Sequence, residues 1–329
     1  GAAGWEVLGG GPDRPVRQAA LARLLEAVSA EGAAAFHEGA MAAHIAAAVA
    51  RAGGLLTAQD LAAHETRLSA PLSTPWEGGL AHVQPPPAQG ALLAMCLRAL
   101  EDTPHEATDH LLVELVTAAF EHRDRLAEGD GRALLAEPLA PDPDRVTPRR
   151  GPRAYLHTAG VATADADGMV CSSLVSLFDH FGSGVFVAEG GFVLNNRAEG
   201  FTGPPNRARP GARPVHTLAP ALIETGRRVM ALATPGADGQ VQTLLQILMR
   251  LRRGERLAEA IAAPRWRAED GRLLVADTHP GQAALARIGH HVVQRSDGDG
   301  IFGAVMAAGL DARPFAGADW RREGACGAF

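Results

Sequence analysis

A period-two run flanked by a proline-rich stretch constrains this chain more than any other feature. From Val161 to Ala166 and again from Met169 to Ser176 the residues alternate in polarity, and Asp167-Gly168 between them is a favoured two-residue turn. Two paired strands are therefore expected, with Thr158 at the mouth of the hairpin and Ser176 at its far end. Immediately upstream, Pro138 to Arg153 is rich in proline, carries six charges of mixed sign and has almost no apolar pattern. Such a stretch makes a linker, not a packed element. A linker running into a strand that begins at threonine suits a processing site.

The half before the linker reads as support. Ala19, Leu21, Leu24, Leu25 and Val28, then Met41, Ile45, Ala48 and Val49, have helical spacing, with Gly53-Gly54 closing the second helix. Thr57 with Asp60 starts a short helix in the manner of a capping box. Leu80 to Val83 is a strand broken by Pro85-Pro-Pro87, Gly90 to Leu100 is helical, and Leu111, Leu112, Leu115, Val116, Ala119 and Phe120 mark a helix ending near Arg125. Beyond the hairpin, Val241, Leu244, Leu245, Leu248 and Leu251 mark a helix closing at Gly254. Helices over 255–263 and 282–288 follow, with 291–294 and 301–307 as a late strand pair. His290-His291 reads as a strand edge and Asp297-Gly-Asp-Gly300 as a turn.

Composition removes several function classes. With 329 residues, 47% hydrophobic and a net charge of -6, the chain can bury a large core and has no cationic excess for nucleic acid. No segment is long and apolar enough to span a membrane. Cys96, Cys171 and Cys326 are an odd set without paired spacing, which suggests neither a disulfide framework nor a zinc site. His37-Glu38 opens a zinc-protease pattern, but Met41 stands where the second histidine is needed. Gly9-Gly10-Gly11 lacks the third glycine of a dinucleotide loop, Arg14 taking its place, and reads as a turn. Asp165, Asp167 and Gly168 resemble the head of a calcium loop, but Ser176 stands where its glutamate belongs. No metal or cofactor is expected. The first residues show no signal peptide, so the compartment is open, with the cytoplasm slightly favoured.

The hairpin and a series of short blocks together resemble the gamma-glutamyltransferase family. The blocks are Phe181-Gly-Ser-Gly184, Gly191-Phe-Val-Leu-Asn-Asn196, Arg213-Pro-Val-His-Thr-Leu-Ala-Pro220, Thr234-Pro-Gly-Ala237 and Gly317-Ala-Asp-Trp-Arg-Arg322. Upstream, Gly32-Ala-Ala-Ala-Phe-His-Glu-Gly39, Gly53-Gly-Leu-Leu-Thr-Ala-Gln-Asp-Leu61 and Gln84-Pro-Pro-Pro-Ala-Gln-Gly90 fit as well. The resemblance implies an α+β N-terminal nucleophile hydrolase, an αββα sandwich of stacked antiparallel sheets between helix layers. It also implies that the chain cuts itself between His157 and Thr158. Residues 1–157, mostly helical with a linker over 138–157, would be the C-terminal portion of a large subunit, and 158–329 the small catalytic subunit. The two processed pieces would form a heterodimer. Family members carry a further segment before the point that Gly1 matches.

Thr158 then has a chemical role that its sequence position alone does not give. A threonine hydroxyl is a weak nucleophile without a base, and a chain-terminal threonine brings one in its own amine, whose ordinary pKa is about 7.7 to 8.0. By the same resemblance Ser176 hydrogen-bonds the nucleophile, and the amides of Gly236 and Ala237 form the oxyanion hole at a helix N-terminus. Ala237 replaces a usual glycine, which is tolerable if its φ is not strongly positive.

The substrate contacts depart from the family pattern. Gly200 stands where relatives taking gamma-glutamyl groups have an acid, and Arg197 where they have glutamine or glutamate. Phe178 replaces an asparagine, Ala159 a second threonine, and His216-Thr217 paired serines. A cation beside a phenyl ring suits a small amide or peptide-like donor whose acyl chain ends in carboxylate, a glutaryl type. Two alternatives stay open: a true gamma-glutamyltransferase with a rearranged pocket, and an inactive relative that serves as a binding protein.

Overall fold

The computed structural model describes residues 15–101, 107–149, 151–153 and 158–327. The glycine run at 9–11, and His157, lie outside them. The elements in chain order are α1 (Ala19–Glu31), α2 (Ala34–His37), α3 (Gly39–Arg51), α4 (Ala58–Ala62), β1 (Leu72–Trp76), β2 (Gly79–Val83), α5 (Gly90–Glu101), α6 (Asp109–Phe120) and α7 (Arg132–Leu135). Next come β3 (Ala159–Ala164), β4 (Val170–Val175), β5 (Phe186–Val187), β6 (Phe192–Val193), β7 (Ala221–Thr225), β8 (Arg228–Ala233), α8 (Gly239–Arg252) and α9 (Leu257–Ala262). The last are β9 (Trp266–Glu269), β10 (Arg272–Ala276), α10 (Gln282–Ile288), β11 (Val292–Arg295), β12 (Met306–Leu310) and β13 (Pro314–Ala318). Among the described residues no helix is long and apolar enough to cross a membrane.

Two compact units divide the chain, Gly1–Ser69 with Asp179–Asn196, and Ala70–Phe178 with Arg197–Phe329. In the smaller, Ile45, Ala48 and Val187 are buried together, with Phe36, Met41 and Phe192 packed around them. The Thr57–Asp60 capping box forms there as the sequence indicates: the Asp60 N–H donates to Thr57 Oγ1 at 3.3 Å and the Thr57 N–H to Asp60 Oδ2 at 2.8 Å.

The larger unit is built on a six-stranded sheet of order β1-β2-β7-β8-β12-β13, every pair antiparallel. Strand β8 is buried on both faces from Met230 to Ala233, and its alternation explains the layering. Met230 and Leu232 join the main core with Leu92, Leu93, Val241 and Leu244 of α5 and α8. On the opposite face lies the β3–β4 hairpin, where a Cβ on Gly160 would meet Ala233 Cβ at 3.1 Å and Ser172 Oγ donates to Leu232 O at 2.7 Å. Small residues on both sides let the sheets approach closely.

The hairpin pairs Ala159 with Val175 through Ala164 with Val170. Its connection is a five-residue loop over 165–169 and not the two-residue turn expected. Asp165 causes this: its Oδ1 accepts the N–H groups of Asp167 and Met169 at 3.0 and 2.9 Å, closing the loop with its own side chain.

Helix α8 is fixed by glutamines. Gln242 and Gln246 each accept a backbone N–H from β9 and donate back to a carbonyl of the same strand, at 2.7–3.0 Å. Their carboxamides stand in for a neighbouring strand along that edge of the sheet β11-β10-β9.

Two expectations about the late segment are corrected. Strand β11 pairs in parallel with β10, not with the residues after 300, and Ile301 and Phe302 lie in a 3-10 turn whose Ile301 N–H is capped by Asp299 Oδ1 at 3.0 Å. The second strand is β12, which joins the large sheet between β8 and β13. His290 lies before β11, buried, with Nε2 2.8 Å from His110 Nδ1, so it is a core group and not a strand edge. The linker forms no helix or strand in its described residues but is tied down. Buried Glu114 accepts N–H groups from Asp142 and Thr147 and a 2.7 Å bond from Arg149 Nη1.

Candidate active site

Thr158 stands immediately before β3, half-buried. Continuing the register of the hairpin puts it opposite Ser176, which immediately follows β4. Ser176 Oγ accepts the Phe178 N–H at 3.0 Å, an arrangement that goes with the left-handed backbone of Phe178, φ 80. A non-glycine residue in that region is costly and marks an over-determined site.

The Thr158 hydroxyl meets the first turn of α8. Gln240 Nε2 donates to Thr158 Oγ1 across a long 3.5 Å contact. The carboxamide cannot flip, because Gln240 Oε1 accepts the Ala219 N–H at 2.8 Å and the side chain is fully buried.

Gly236 and Ala237 form the turn that leads into α8. Gly236 O accepts the Gly239 N–H at 2.7 Å and Arg267 Nη1 at 3.0 Å, while Ala237 O accepts the Gln240 N–H at 3.0 Å and Gln89 Nε2 at 2.7 Å. The Gly236 carbonyl is thus pinned, and the Ala237 N–H of the same trans peptide points the other way; the Ala237 carbonyl in turn fixes the peptide that leads into Asp238. Among the described residues the N–H groups of Gly236 and Ala237 donate to no protein acceptor. Ala237 has φ 49, so the condition for an unstrained alanine at this position is not met, and it carries strain of about 1 kcal/mol. Space below the turn is closed as well: a Cβ on Gly303 would meet Thr234 Oγ1 at 2.7 Å.

The proposed substrate contacts form a connected cluster. The Arg197 guanidinium lies 4.7 Å from the centre of the buried Phe178 ring, and its Nη1 donates to Thr217 Oγ1 at 3.2 Å. Thr217 O accepts Gln89 Nε2 at 2.5 Å, so Gln89 links this cluster to the Gly236–Ala237 turn. His216 donates its backbone N–H to Pro87 O at 2.8 Å, and its ring Nδ1 is buried without a hydrogen-bond partner. Desolvation, helped by Arg197 and Arg213, pushes the His216 pKa down to about 4, so the ring is neutral at physiological pH. Gly200 is buried, and a Cβ there would meet Val215 O at 2.8 Å. An acid therefore does not fit at that position in this backbone.

Sequence reasoning missed Gln89, Gln240 and Arg267. Gln240 carried no distinguishing signal, since Gln242, Thr243 and Gln246 are buried polar residues of the same helix. Gln89 lay in a block that the resemblance matched without giving any residue in it a role, and Arg267 in a strand not foreseen. Among the described residues no group of three or more His, Cys, Asp or Glu is placed to hold a metal ion.

The family model described as gamma-glutamyltranspeptidase matches residues 12–329. The chain belongs to that family. It is 33% identical over 287 residues to an oxamate amidohydrolase proenzyme of Klebsiella pneumoniae, covering 80% of this chain and 54% of that protein. It is 30% identical over 349 residues to a glutathione hydrolase-like proenzyme of Bacillus subtilis, covering 94% and 65%. The crystal structure of cephalosporin acylase from Bacillus halodurans superposes with a TM-score of 0.81 at 25% identity, over 95% of this chain and 63% of that one. The α+β fold is thus that of the N-terminal nucleophile hydrolases, and the chain spans between about half and two thirds of the length of these relatives.

Proposed function

We propose that this chain is the catalytic part of a family hydrolase or acyltransferase that cuts itself before Thr158 and then uses Thr158 to take an acyl group from an amide. The observation that carries the reading is the joint placement of Thr158 Oγ1 against Gln240 and of two unengaged amides on the turn that opens the same helix. After the cut, the Thr158 amine accepts the hydroxyl proton as Oγ1 attacks the donor carbonyl. The oxyanion faces the Gly236 and Ala237 N–H groups, and the amine returns the proton to the departing nitrogen. Water or an amine then releases the acyl group.

The donor favoured is one ending in carboxylate without an alpha-amino group. Arg197, oriented by Phe178 and Thr217, supplies the cation, and the closed space at Gly200 leaves no room for the acid that would hold an ammonium. The names of relatives, one an oxamate amidohydrolase and another a cephalosporin acylase, support a donor range wider than gamma-glutamyl. Two measurements on the full-length protein test this. Mass spectrometry should find a fragment beginning at Thr158, absent in Thr158→Ala. In addition, kcat/KM for a glutaryl amide should exceed that for the matching gamma-glutamyl amide; a preference for the gamma-glutamyl donor would overturn the assignment of Arg197.

A further inference from the structure

A peptide unit shortly before Thr158 is held from both edges. Pro152 O accepts the Asp270 N–H at 3.0 Å, and the Arg153 N–H donates to Asp238 Oδ2 at 3.0 Å. These two atoms belong to one planar peptide, so the bonds fix its position and its orientation together. Pro152 is buried, and Asp238 is fully buried with Arg123 Nε 3.6 Å from its Oδ1. Asp238 is the N-cap of α8, two residues before Gln240 and next to Ala237. None of the roles assigned so far uses this carboxylate.

We propose that the first turn of α8 is a processing clamp: Asp238 holds the chain upstream of the bond to be cut while Gln240 holds the hydroxyl that cuts it. The proposal rests on the reading that the chain cleaves itself before Thr158. Only four residues separate Arg153 from Thr158, so both held points lie close in sequence to the bond to be cut. In the cut itself, Thr158 Oγ1 bonds to the His157 carbonyl carbon, the bond from that carbon to the Thr158 nitrogen breaks, and the hydroxyl proton ends on that nitrogen. The product is an ester with a free amine. Water then attacks the ester, returning the Thr158 hydroxyl and leaving His157 as a carboxylate. The clamp acts only before the cut, because the upstream chain is then no longer joined to the nucleophile.

The test follows conversion of freshly purified full-length precursor by denaturing electrophoresis and mass spectrometry. Arg153→Pro removes the N–H, whereas Arg153→Ala keeps it. We expect Arg153→Ala to cleave at nearly the wild-type rate and Arg153→Pro to cleave on the order of tenfold to a hundredfold more slowly, the value of a hydrogen bond to a charged acceptor. The fraction of Arg153→Pro that does cleave should turn over an amide donor at the wild-type kcat per free Thr158 amine, which general damage to the fold would not allow. Should Arg153→Pro lose its cooperative thermal transition, Asp238→Ala decides by the same cleavage assay. Wild-type cleavage rates in Arg153→Pro or, where that variant does not fold, in Asp238→Ala remove the clamp and leave the proposed function standing, and equal slowing by Arg153→Ala moves the role to the side chain and also overturns it. A wild-type chain that stays whole takes both readings down together.

Discussion

Arg265 and Arg267 stand two residues apart at the start of β9, are equally buried, and grip the same 3-10 turn: Arg265 Nη1 donates to Phe302 O at 2.9 Å and Arg267 Nη1 to Ile301 O at 3.1 Å. From there they diverge. Arg265 reaches Asp319 Oδ2 at 2.6 Å and Ile261 O, joining Arg321 in a buried network that secures the end of the chain. Arg267 pairs with Glu269 at 3.0 Å and then passes under Gly239 to Gly236 O, where a Cβ on Gly239 would strike its Nη1 at 2.6 Å. Burial pushes the Arg265 pKa down to about 10 and that of Arg267 in the same direction, yet Arg265 at least stays charged at neutral pH. What a buried arginine does is therefore set by which carbonyl it reaches, and neither residue type nor burial distinguishes the two.

The largest effect should come from breaking the first network. Arg265→Met leaves Asp319 with Arg321 Nη1 at 3.2 Å as its remaining cation and should cost about 3 kcal/mol, the low end for a broken buried pair, read as a lowered denaturant midpoint, while the kcat of the folded fraction is unchanged. Arg267→Met should do the reverse. Glu269 keeps Arg272 at 3.3 Å, so the stability loss is smaller, but the Gly236 carbonyl is left with the Gly239 N–H alone and the direction of the Ala237 N–H is held less firmly. We expect kcat to fall on the order of ten- to a hundredfold with KM nearly unchanged, short of the loss for a deleted oxyanion donor. Equal losses of stability and intact kcat in both variants would erase the distinction.

Acid should act on neither arginine. The sensitive groups are His216 and His290, both pushed down to about 4, mainly by desolvation. The unfolded chain then binds their protons first, so stability falls as pH drops from about 6.5 toward about 4 and levels off below. His290→Phe should flatten that slope in denaturant midpoints measured at pH 7 and pH 5. The smallest effect is reserved for Ala237→Gly, which relieves the left-handed backbone but frees the unfolded chain. The two terms are each about 1 kcal/mol, and the midpoint should shift by less than that. Proline at 237 is no clean test of the donor, since φ 49 excludes it.

Much of the fold was legible because it follows local periodicity. The helices α3, α5, α6 and α8 were marked by apolar spacing that burial then enforced, and α1 and the hairpin by spacing alone, since α1 buries only Leu24 and no strand residue of the hairpin is fully buried. What escaped were strands whose pattern is blurred by burial on both faces, such as β8 and β9; Arg265, just before β9, meets Asp319 across a sequence distance that no local rule spans, while Arg267 pairs with Glu269 two residues on in the same strand. At the site, Thr158, Gly236 and Ala237 stood out through their blocks. Gln89 and Gln240 did not, because a glutamine shows its purpose only once the two backbone groups it bridges are brought together.

The strand order carries one more consequence. Strands β1 and β2 precede Thr158 and the other four follow it, so the ladder from Leu80 opposite Glu224 to Val83 opposite Ala221 crosses the proposed cut, as does the core between α5 and α8. Two pieces sharing one sheet cannot part on dilution without melting that sheet. Yet once melted they must find each other again as separate molecules, where the uncut chain refolds at the high effective concentration of its own tether. The cut would thus change the molecularity of refolding from one to two, and thermal unfolding that is reversible in Thr158→Ala should become dependent on protein concentration, or irreversible, in the processed wild type.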